Sequence, residues 1–496
     1  MLPPIKNQPA RVKTILLLLT LSVAPACIAP KHTPNLERIF AEARLKKGKR
    51  AVIVIPGILG TELINSKTGE VVWPSAIRSD DATSTLPMSP DLANNRDEVV
   101  PSKIIETVRL ARVLPEVYVY RDLLEALRNY GGYQQGDWNN PSPDGDLDTY
   151  YVYPYDFRRD NVESARLLLK KVHDLKTKLH RPDLRFNILA HSMGGLIARY
   201  AAMYGDEDLP ADATQLKPTW KGAADINKIV MLGVPNEGSA DAFSTLIEGY
   251  SITEGLRTRI PLLNRLTAEE SITAPSIFQL LPHNHVAKFL DEDLKPIALD
   301  LFDPETWKKY QWSPINDPEF RRRYERPAKN AANHPGNNEE PPRSLANLDG
   351  YLAAVLKRAN LFQAALDAAP ESPAPVALFA IGGDCEETLN APLLLRDEKR
   401  NRWITLTQPR DYRTSTGRKV TKREATEAMY APGDGRVTRR SLLGEDLMGA
   451  RATGSVFDSP LPLTYAVFGC DLHGALPKNK VLADNTLTAL VNEAMK

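Results

Sequence analysis

The sequence predicts an α/β fold, a mostly parallel sheet with helices on both faces, from three observations. Short β-branched runs recur along the chain, turn signals follow them, and segments of helical spacing lie between them. Ala51-Val-Ile-Val-Ile55, ending in Pro56-Gly57, reads as a buried parallel strand and a tight turn, because a strand covered on both faces needs no polar alternation. Tyr150–Tyr153, closed by Pro154, is a second strand. From Asn161 to Leu179 the apolar residues Val162, Ala165, Leu168, Leu169, Val172 and Leu175 recur at helical spacing. Phe186–Ala190 is a third strand and Leu196–Tyr204 the helix after it. Ile226–Val234, Val376–Ile381 and Thr464–Phe468 complete six strands, before a terminal helix from Leu482 to Met495.

These units divide into a core at residues 51–234 and 371–496, separated by a cap or lid insertion at 235–370 with a largely helical pattern. That insertion contains the polar stretch Pro327–Pro342. Two further insertions are residues 61–149, with few strong elements, and 385–430, short, charged and strand-like in places. The 496 residues thus read as one elaborated core, with most of the 39 prolines in its insertions and leader. Sixty-three basic against 62 acidic residues leave no basic field, which argues against a nucleic-acid partner. Three cysteines exclude a disulfide scaffold and a four-cysteine zinc site. No metal or cofactor is called for: Asp144, Asp146 and Asp148 lack a complete calcium-ligand pattern and read as a solvated acidic loop.

The first residues carry Lys6, Arg11 and Lys13 with no acid, then the apolar run Ile15–Val23. This is the length of a signal-peptide core, well short of the roughly 20 residues that span a bilayer. Ala24-Pro-Ala-Cys27 resembles a bacterial lipobox, with Ala24 where Leu is usual. Export is therefore expected, to the periplasm or cell envelope or as a secreted protein. Residues 1–26 form the leader and 27–50 a linker, with a lipidated Cys27, plain cleavage near Ala26 or, last, an uncleaved anchor as the outcomes. Removing the leader leaves 60 basic residues against 62 acidic, so apolar contacts or a Cys27 anchor, not charge, must bring the chain to a membrane.

Chemistry concentrates in Phe186-Asn-Ile-Leu-Ala-His-Ser-Met-Gly-Gly195. A buried strand running through Ala190-His-Ser192-Met-Gly194 into a helix is the setting of a nucleophile elbow, whose strained turn admits only small residues two places either side of the serine. Ser192 is the candidate nucleophile; His191 has a structural role. A serine needs a base and an orienting acid, and in this architecture the chain order is Ser, acid, His. His473 is the one histidine of eight that follows a late core strand, and is the candidate base. Two acids remain open on the residues alone. Asp384 directly follows the strand that begins at Val376, and Asp434 lies between Gly433 and Gly435.

Five segments resemble the lecithin:cholesterol acyltransferase-like family of α/β-hydrolases. They are Val54-Ile-Pro-Gly-Ile-Leu-Gly60 with Trp73, Tyr153-Pro-Tyr-Asp-Phe-Arg158, the elbow, Ala274-Pro-Ser-Ile-Phe-Gln-Leu-Leu-Pro282, and Gly433-Asp-Gly-Arg-Val437. Phe157 stands where Trp is common and Arg436 where Thr is common. The resemblance implies an α/β-hydrolase fold and selects Asp434, leaving Asp384 as the alternative. It also implies an oxyanion hole from the backbone amides of Ile58 and Met193, a scaffold role for Tyr155, Asp156 and Arg158, and membrane-binding or lid segments at Trp73 and residues 74–115. The spacing Ile252, Leu256, Ile260, Leu263 fits a lid face or, more simply, an amphipathic core helix. Cys385 and Cys470 each follow a strand, and would pair as a disulfide if those strands are neighbours.

The expected function is that of an exported serine acyl-enzyme. It would take an acyl group from a phospholipid or other glycerolipid at a membrane or lipoprotein interface and pass it to water or a lipid hydroxyl. Two rivals are a general carboxylesterase for soluble esters and a non-catalytic surface lipoprotein of the same fold.

Overall fold

The computed structural model describes residues 33–74, 84–109, 116–251, 265–284, 288–325, 344–369, 372–445 and 461–492. The leader, Cys27, the Ile252–Leu263 run and the stretch Pro327–Pro342 lie outside the described residues. Among the described residues seven parallel strands form the central sheet: β1 (Val52–Ile55), β2 (Gln134–Gln135), β3 (Thr149–Val152), β4 (Phe186–His191), β5 (Ile226–Leu232), β6 (Ala377–Gly383) and β7 (Leu463–Gly469). Their spatial order is β7-β6-β5-β4-β1-β3-β2, all parallel. The six strands read from the sequence are all present. The two-residue edge strand β2 has no sequence signal, because both its glutamines are exposed.

Side chains alternate between two buried layers, as the pleat requires. Ile53, Ile55, Ile188, Ile229 and Met231 face a layer built with α2 (Asn161–Lys178) and α3 (Met193–Tyr204). Val52, Val54, Leu189, Val230 and Phe379 face the opposite layer, built with α1 (Arg121–Asn129) and α6 (Lys480–Val491). Both faces are apolar, so the strands read as continuous hydrophobic runs.

The insertions depart from expectation in three ways. Residues 61–149 hold the core helix α1 and a three-stranded antiparallel sheet of Thr61–Asn65, Val71–Trp73 and Val99–Ile104. The cap and the 385–430 insertion, read as separate, meet in one four-stranded sheet through the Leu290–Leu393 pair. Within 235–370, α4 (Ala240–Glu248) precedes a series of short helices. The last element, α5 (Leu345–Asp367), is a wall of the core. Tyr204 Oη donates to Ala365 O and Arg199 Nη2 to Leu366 O, both at 2.8 Å, tying α5 to α3.

Chain order reverses where β1 lies between β3 and β4. In open parallel sheets the crevice beyond the carboxyl ends at such a switch point is where ligands bind. Here it receives the Pro56–Gly60 turn from β1 and Ser192 from β4.

Candidate active site

Ser192 occupies the turn between β4 and α3 at φ 52° and ψ −129°, a conformation rare for a residue with a side chain. Its amide donates to Leu232 O at 2.8 Å, fastening the turn to β5. Small neighbours are obligatory: a Cβ on Gly194 would lie 2.5 Å from Pro56 O. The strain projects the Ser192 hydroxyl beyond the strand ends, as the elbow pattern predicts.

Asp434 and His473 come from distant loops and meet at this hydroxyl. Ser192 Oγ donates to His473 Nε2 at 2.9 Å, and His473 Nδ1 donates to Asp434 Oδ2 at 2.8 Å. All three residues are buried. Asp434 directly follows a two-stranded antiparallel ladder in which Glu386–Leu389 pairs with Tyr430–Gly433. Its Oδ1 accepts from the amides of Arg436 at 3.0 Å and Val437 at 2.8 Å, leaving Oδ2 for the imidazole. The His473 amide donates to Asp434 O at 2.8 Å, so the two loops are joined through backbone as well as side chain. Gly233, at φ 60° after β5, gives the ring room: a Cβ there would sit 3.1 Å from His473 Cε1.

Asp384, the alternative acid, is not part of this chain. Its side chain is 32% exposed and faces Arg439 at 3.7 Å. The strand ends after β6 and β7 do lie side by side, and Cys385 is bonded to Cys470. That disulfide joins the start of the strand Glu386–Leu389, which pairs with the strand leading to Asp434, to the loop that reaches His473 three residues later.

Ile58 lies in the turn after β1, whose Gly57 approaches Ser192 so closely that a Cβ there would lie 2.7 Å from Ser192 Cβ, and Met193 is the first residue of α3. Among the described residues neither backbone amide has a protein hydrogen-bond acceptor. Met193 N–H also lies at the positive end of a twelve-residue helix.

Residues of the other resembling segments brace the turn, as expected for Tyr155, Asp156 and Arg158 and contrary to expectation for Trp73. Trp73, placed by resemblance in a membrane-binding segment, is buried instead. Its Nε1 donates to Leu59 O at 3.0 Å, and its ring meets Phe157 edge-on. It supports the Pro56–Gly60 turn because the strand that carries it pairs with Thr61–Asn65 directly after that turn. Tyr155 Oη donates to Pro56 O at 3.0 Å. Arg158 makes paired contacts to Asp156 and Asp97, which pins the segment beneath the turn. Ser276 Oγ donates to Phe157 O, so the Ala274–Pro282 segment locks onto the same brace. Arg436, the departure from the family pattern, ion-pairs with Asp241 of α4 at 2.7 Å and lies 4.1 Å over the Tyr250 ring. In the acidic loop, Asp148 pairs with Lys49 at 2.6 Å and Asp146 with Arg181.

Sequence reasoning missed Tyr120 and Thr388. Thr388 Oγ1 accepts from Gly435 N at 2.8 Å and steadies the acid turn. Tyr120 Oη lies 2.7 Å from both Gly57 N and His191 Nδ1. His191, read as structural, packs against the back of His473 with ring centroids 4.9 Å apart. Neither Tyr120 nor Thr388 sits in a motif, and only tertiary packing brings them here.

A buried hydroxyl bonded to an imidazole, whose far nitrogen is held by a buried carboxylate, is able to lose its proton to that imidazole as it attacks a carbonyl. Comparison with curated proteins yields no match. Among solved structures, a chain of the Tle4–Tli4 complex is similar at 15% identity and TM-score 0.49, covering 89% of this chain and 99% of that one. The Bacillus licheniformis lipase BlEst2 in propeptide form is similar at 11% identity and TM-score 0.32, covering 90% of this chain and 54% of that one. The phospholipase PlaB from Legionella pneumophila shows 19% identity and TM-score 0.18, over 32% of this chain and 28% of that one. Residues 118–338, which hold the elbow and the Pro154–Arg158 and Pro275–Pro282 motifs but not Asp434 or His473, match the model of the lecithin:cholesterol acyltransferase family, the one that the sequence motifs resemble.

Proposed function

We propose that this protein is an exported, serine-dependent lipid acyl hydrolase or O-acyltransferase. Ser192 Oγ attacks the ester carbonyl of a glycerolipid while its proton passes to His473 Nε2. Asp434 holds the ring in the tautomer that accepts this proton and balances the imidazolium charge. The amides of Ile58 and Met193 receive the oxyanion; losing one such donor typically costs about 3 kcal/mol of transition-state stabilisation. Collapse of the tetrahedral intermediate breaks the ester C–O bond, and His473 returns the proton to the departing alcohol. Water or a lipid hydroxyl then attacks the acyl-enzyme, giving its proton to His473 and releasing a fatty acid or a new ester. Ser192 regains its hydrogen at the end of either course.

The carrying observation is the continuous hydrogen-bonded chain from Ser192 Oγ through His473 to Asp434, at 2.9 and 2.8 Å, ending at a strained elbow. The family match over residues 118–338 supports a lipid ester as substrate. Export rests on the basic and apolar leader that precedes Cys27, and is supported by the Cys385–Cys470 bond, since disulfides persist in oxidising compartments. A Cys27 lipid would anchor the chain to the envelope, and the substrate would be met at a membrane surface.

The test incubates the protein from Cys27 onward with vesicles of acyl-labelled phosphatidylcholine, with and without a sterol or lysolipid acceptor. The expected result is Ser192-dependent release or transfer of label, at least about 10³-fold above Ser192→Ala. Transfer to the acceptor identifies an acyltransferase, and free fatty acid alone identifies a lipase. Undiminished activity in Ser192→Ala, or no label released by the parent protein, overturns the proposal.

A further inference from the structure

Tyr120 and His191 have no part in the bond-making steps, yet they lie directly behind them. Tyr120 precedes α1, far from the elbow in sequence, and both residues are buried. Their polar atoms form a chain from Gly57 N to Tyr120 Oη at 2.7 Å, on to His191 Nδ1 at 2.7 Å, and from His191 Nε2 to His473 O at 3.3 Å.

Only one placement of protons pairs every member. The Gly57 amide is a donor, so it gives its hydrogen to Tyr120 Oη. Burial pushes the phenol pKa up, so Tyr120 keeps its own proton, and His191 Nδ1 is the acceptor within reach. Burial, then the neighbouring His473, push the His191 pKa well down, so its ring is neutral and its one N–H is on Nε2. That N–H faces the His473 carbonyl. The opposite tautomer would strand the phenol proton and set a nitrogen lone pair against a carbonyl oxygen.

Packing makes the chain stiff. A Cβ on Gly57 would lie 2.7 Å from Ser192 Cβ and 3.0 Å from His191 Nδ1, and a Cβ on Gly60 would lie 2.8 Å from Tyr120 Cε2. The turn therefore closes on the phenol ring from one side and on the elbow from the other. The residue after Gly57 is Ile58, whose amide is the proposed oxyanion donor; the far end of the chain is the backbone of the proposed base.

We propose that Tyr120 and His191 are positioning residues that join the Gly57–Ile58 turn to the His473 loop, so that oxyanion donor and base keep one frame around Ser192. The inference rests on the acyl-enzyme reading above and deepens it. Acyl transfer needs the Ile58 amide and the His473 nitrogen correct together, yet they arrive on loops from β1 and β7, on opposite sides of β4. A displacement of about 1 Å in such a site costs on the order of 10²-fold in rate.

The test measures kcat and KM on a short-chain p-nitrophenyl ester, with enzyme concentration set by titration with an active-site phosphonate. Tyr120→Phe keeps the ring and removes one oxygen. Its kcat is expected to fall about 10- to 100-fold while KM stays within about threefold. His191→Asn retains an acceptor near Nδ1 but loses the link to His473, and is expected to act in the same direction. The double variant should be little worse than the poorer single one, because both cut one chain. A Tyr120→Phe enzyme with lowered Tm but parental kcat per titrated site has lost a merely structural residue, and this overturns the inference. Should that variant fail to fold, His191→Asn decides on the same readout. Ser192→Ala separates the two claims. If it stays active, the acyl-enzyme reading and this inference fall together; if it is dead while Tyr120→Phe keeps parental kcat, the inference falls alone.

Discussion

The two flanks of the site are built by opposite means. The proposed nucleophile comes from one continuous stretch, Phe186–Tyr204, in which strand, turn and helix follow one another and close packing around small residues holds Ser192 at its strained positive φ. The proposed acid and base come from two loops that share no local sequence. Backbone and side-chain bonds between Asp434 and His473, the antiparallel ladder that ends at Gly433, Thr388 beneath Gly435 and the Cys385–Cys470 bond hold them together. The nucleophile flank is held by what its glycines omit, the other by what its cross-links add. Damage to a cross-link should therefore cost geometry on one flank and spare the other.

The largest effect separates the two acids on the cross-linked flank. Asp434→Asn keeps the shape but no longer fixes the productive tautomer of His473, and kcat should fall on the order of 10⁴-fold. Asp384→Asn should leave kcat within about twofold, as expected of a surface substitution outside the hydrogen-bonded chain. The reverse pattern in the same steady-state assay would return the acid role to Asp384. Next in size is the disulfide. Replacing Cys385 and Cys470 by serine should lower stability by about 2–4 kcal/mol in a urea titration and reduce kcat. Hydrogen exchange should show the Leu189–Tyr204 amides as protected as before, with faster exchange in the Asp434 and His473 loops. Equal loosening of both flanks would erase the distinction drawn between them.

The same contrast explains how far the sequence could be read. The strands and the elbow were legible because their determinants are local: β-branched runs covered on both faces, and small residues either side of Ser192. His473 was legible from its place after a late strand. Asp434 and Asp384 stood even on residues alone, because either loop could reach the face that bears Ser192. The long-range pairing of Glu386–Leu389 with Tyr430–Gly433 that returns Asp434 to the strand ends has no local signature. Motif resemblance resolved what periodicity could not. Trp73 and α5 were assigned outward because their burial against Leu59, Phe157, Arg199 and Tyr204 depends on partners far along the chain. Tyr120 was invisible for the same reason: nothing about an isolated tyrosine before a helix announces contacts to Gly57 and His191.

The smallest predicted effect lies where the two flanks touch, at His191. Its neighbours are the Tyr120 phenol and the His473 ring, with Asp434 beyond His473, and its folded pKa lies well below the usual histidine value because burial disfavours the charged ring. In the unfolded chain His191 takes up a proton near pH 6.5, whereas the folded protein does not. The unfolded state then binds more protons, so stability rises with pH and is lost as pH falls below about 6.5. One such group contributes a slope of at most about 1.4 kcal/mol per pH unit. His191→Asn removes this contribution, so urea titrations between pH 6.5 and 5 should give a flatter curve than the parent, whatever the variant loses in stability at pH 8. Parallel curves would mean that the folded protein protonates His191 over the same range. A doubly protonated ring cannot accept from Tyr120, and the bridge between the flanks would then be absent at acid pH.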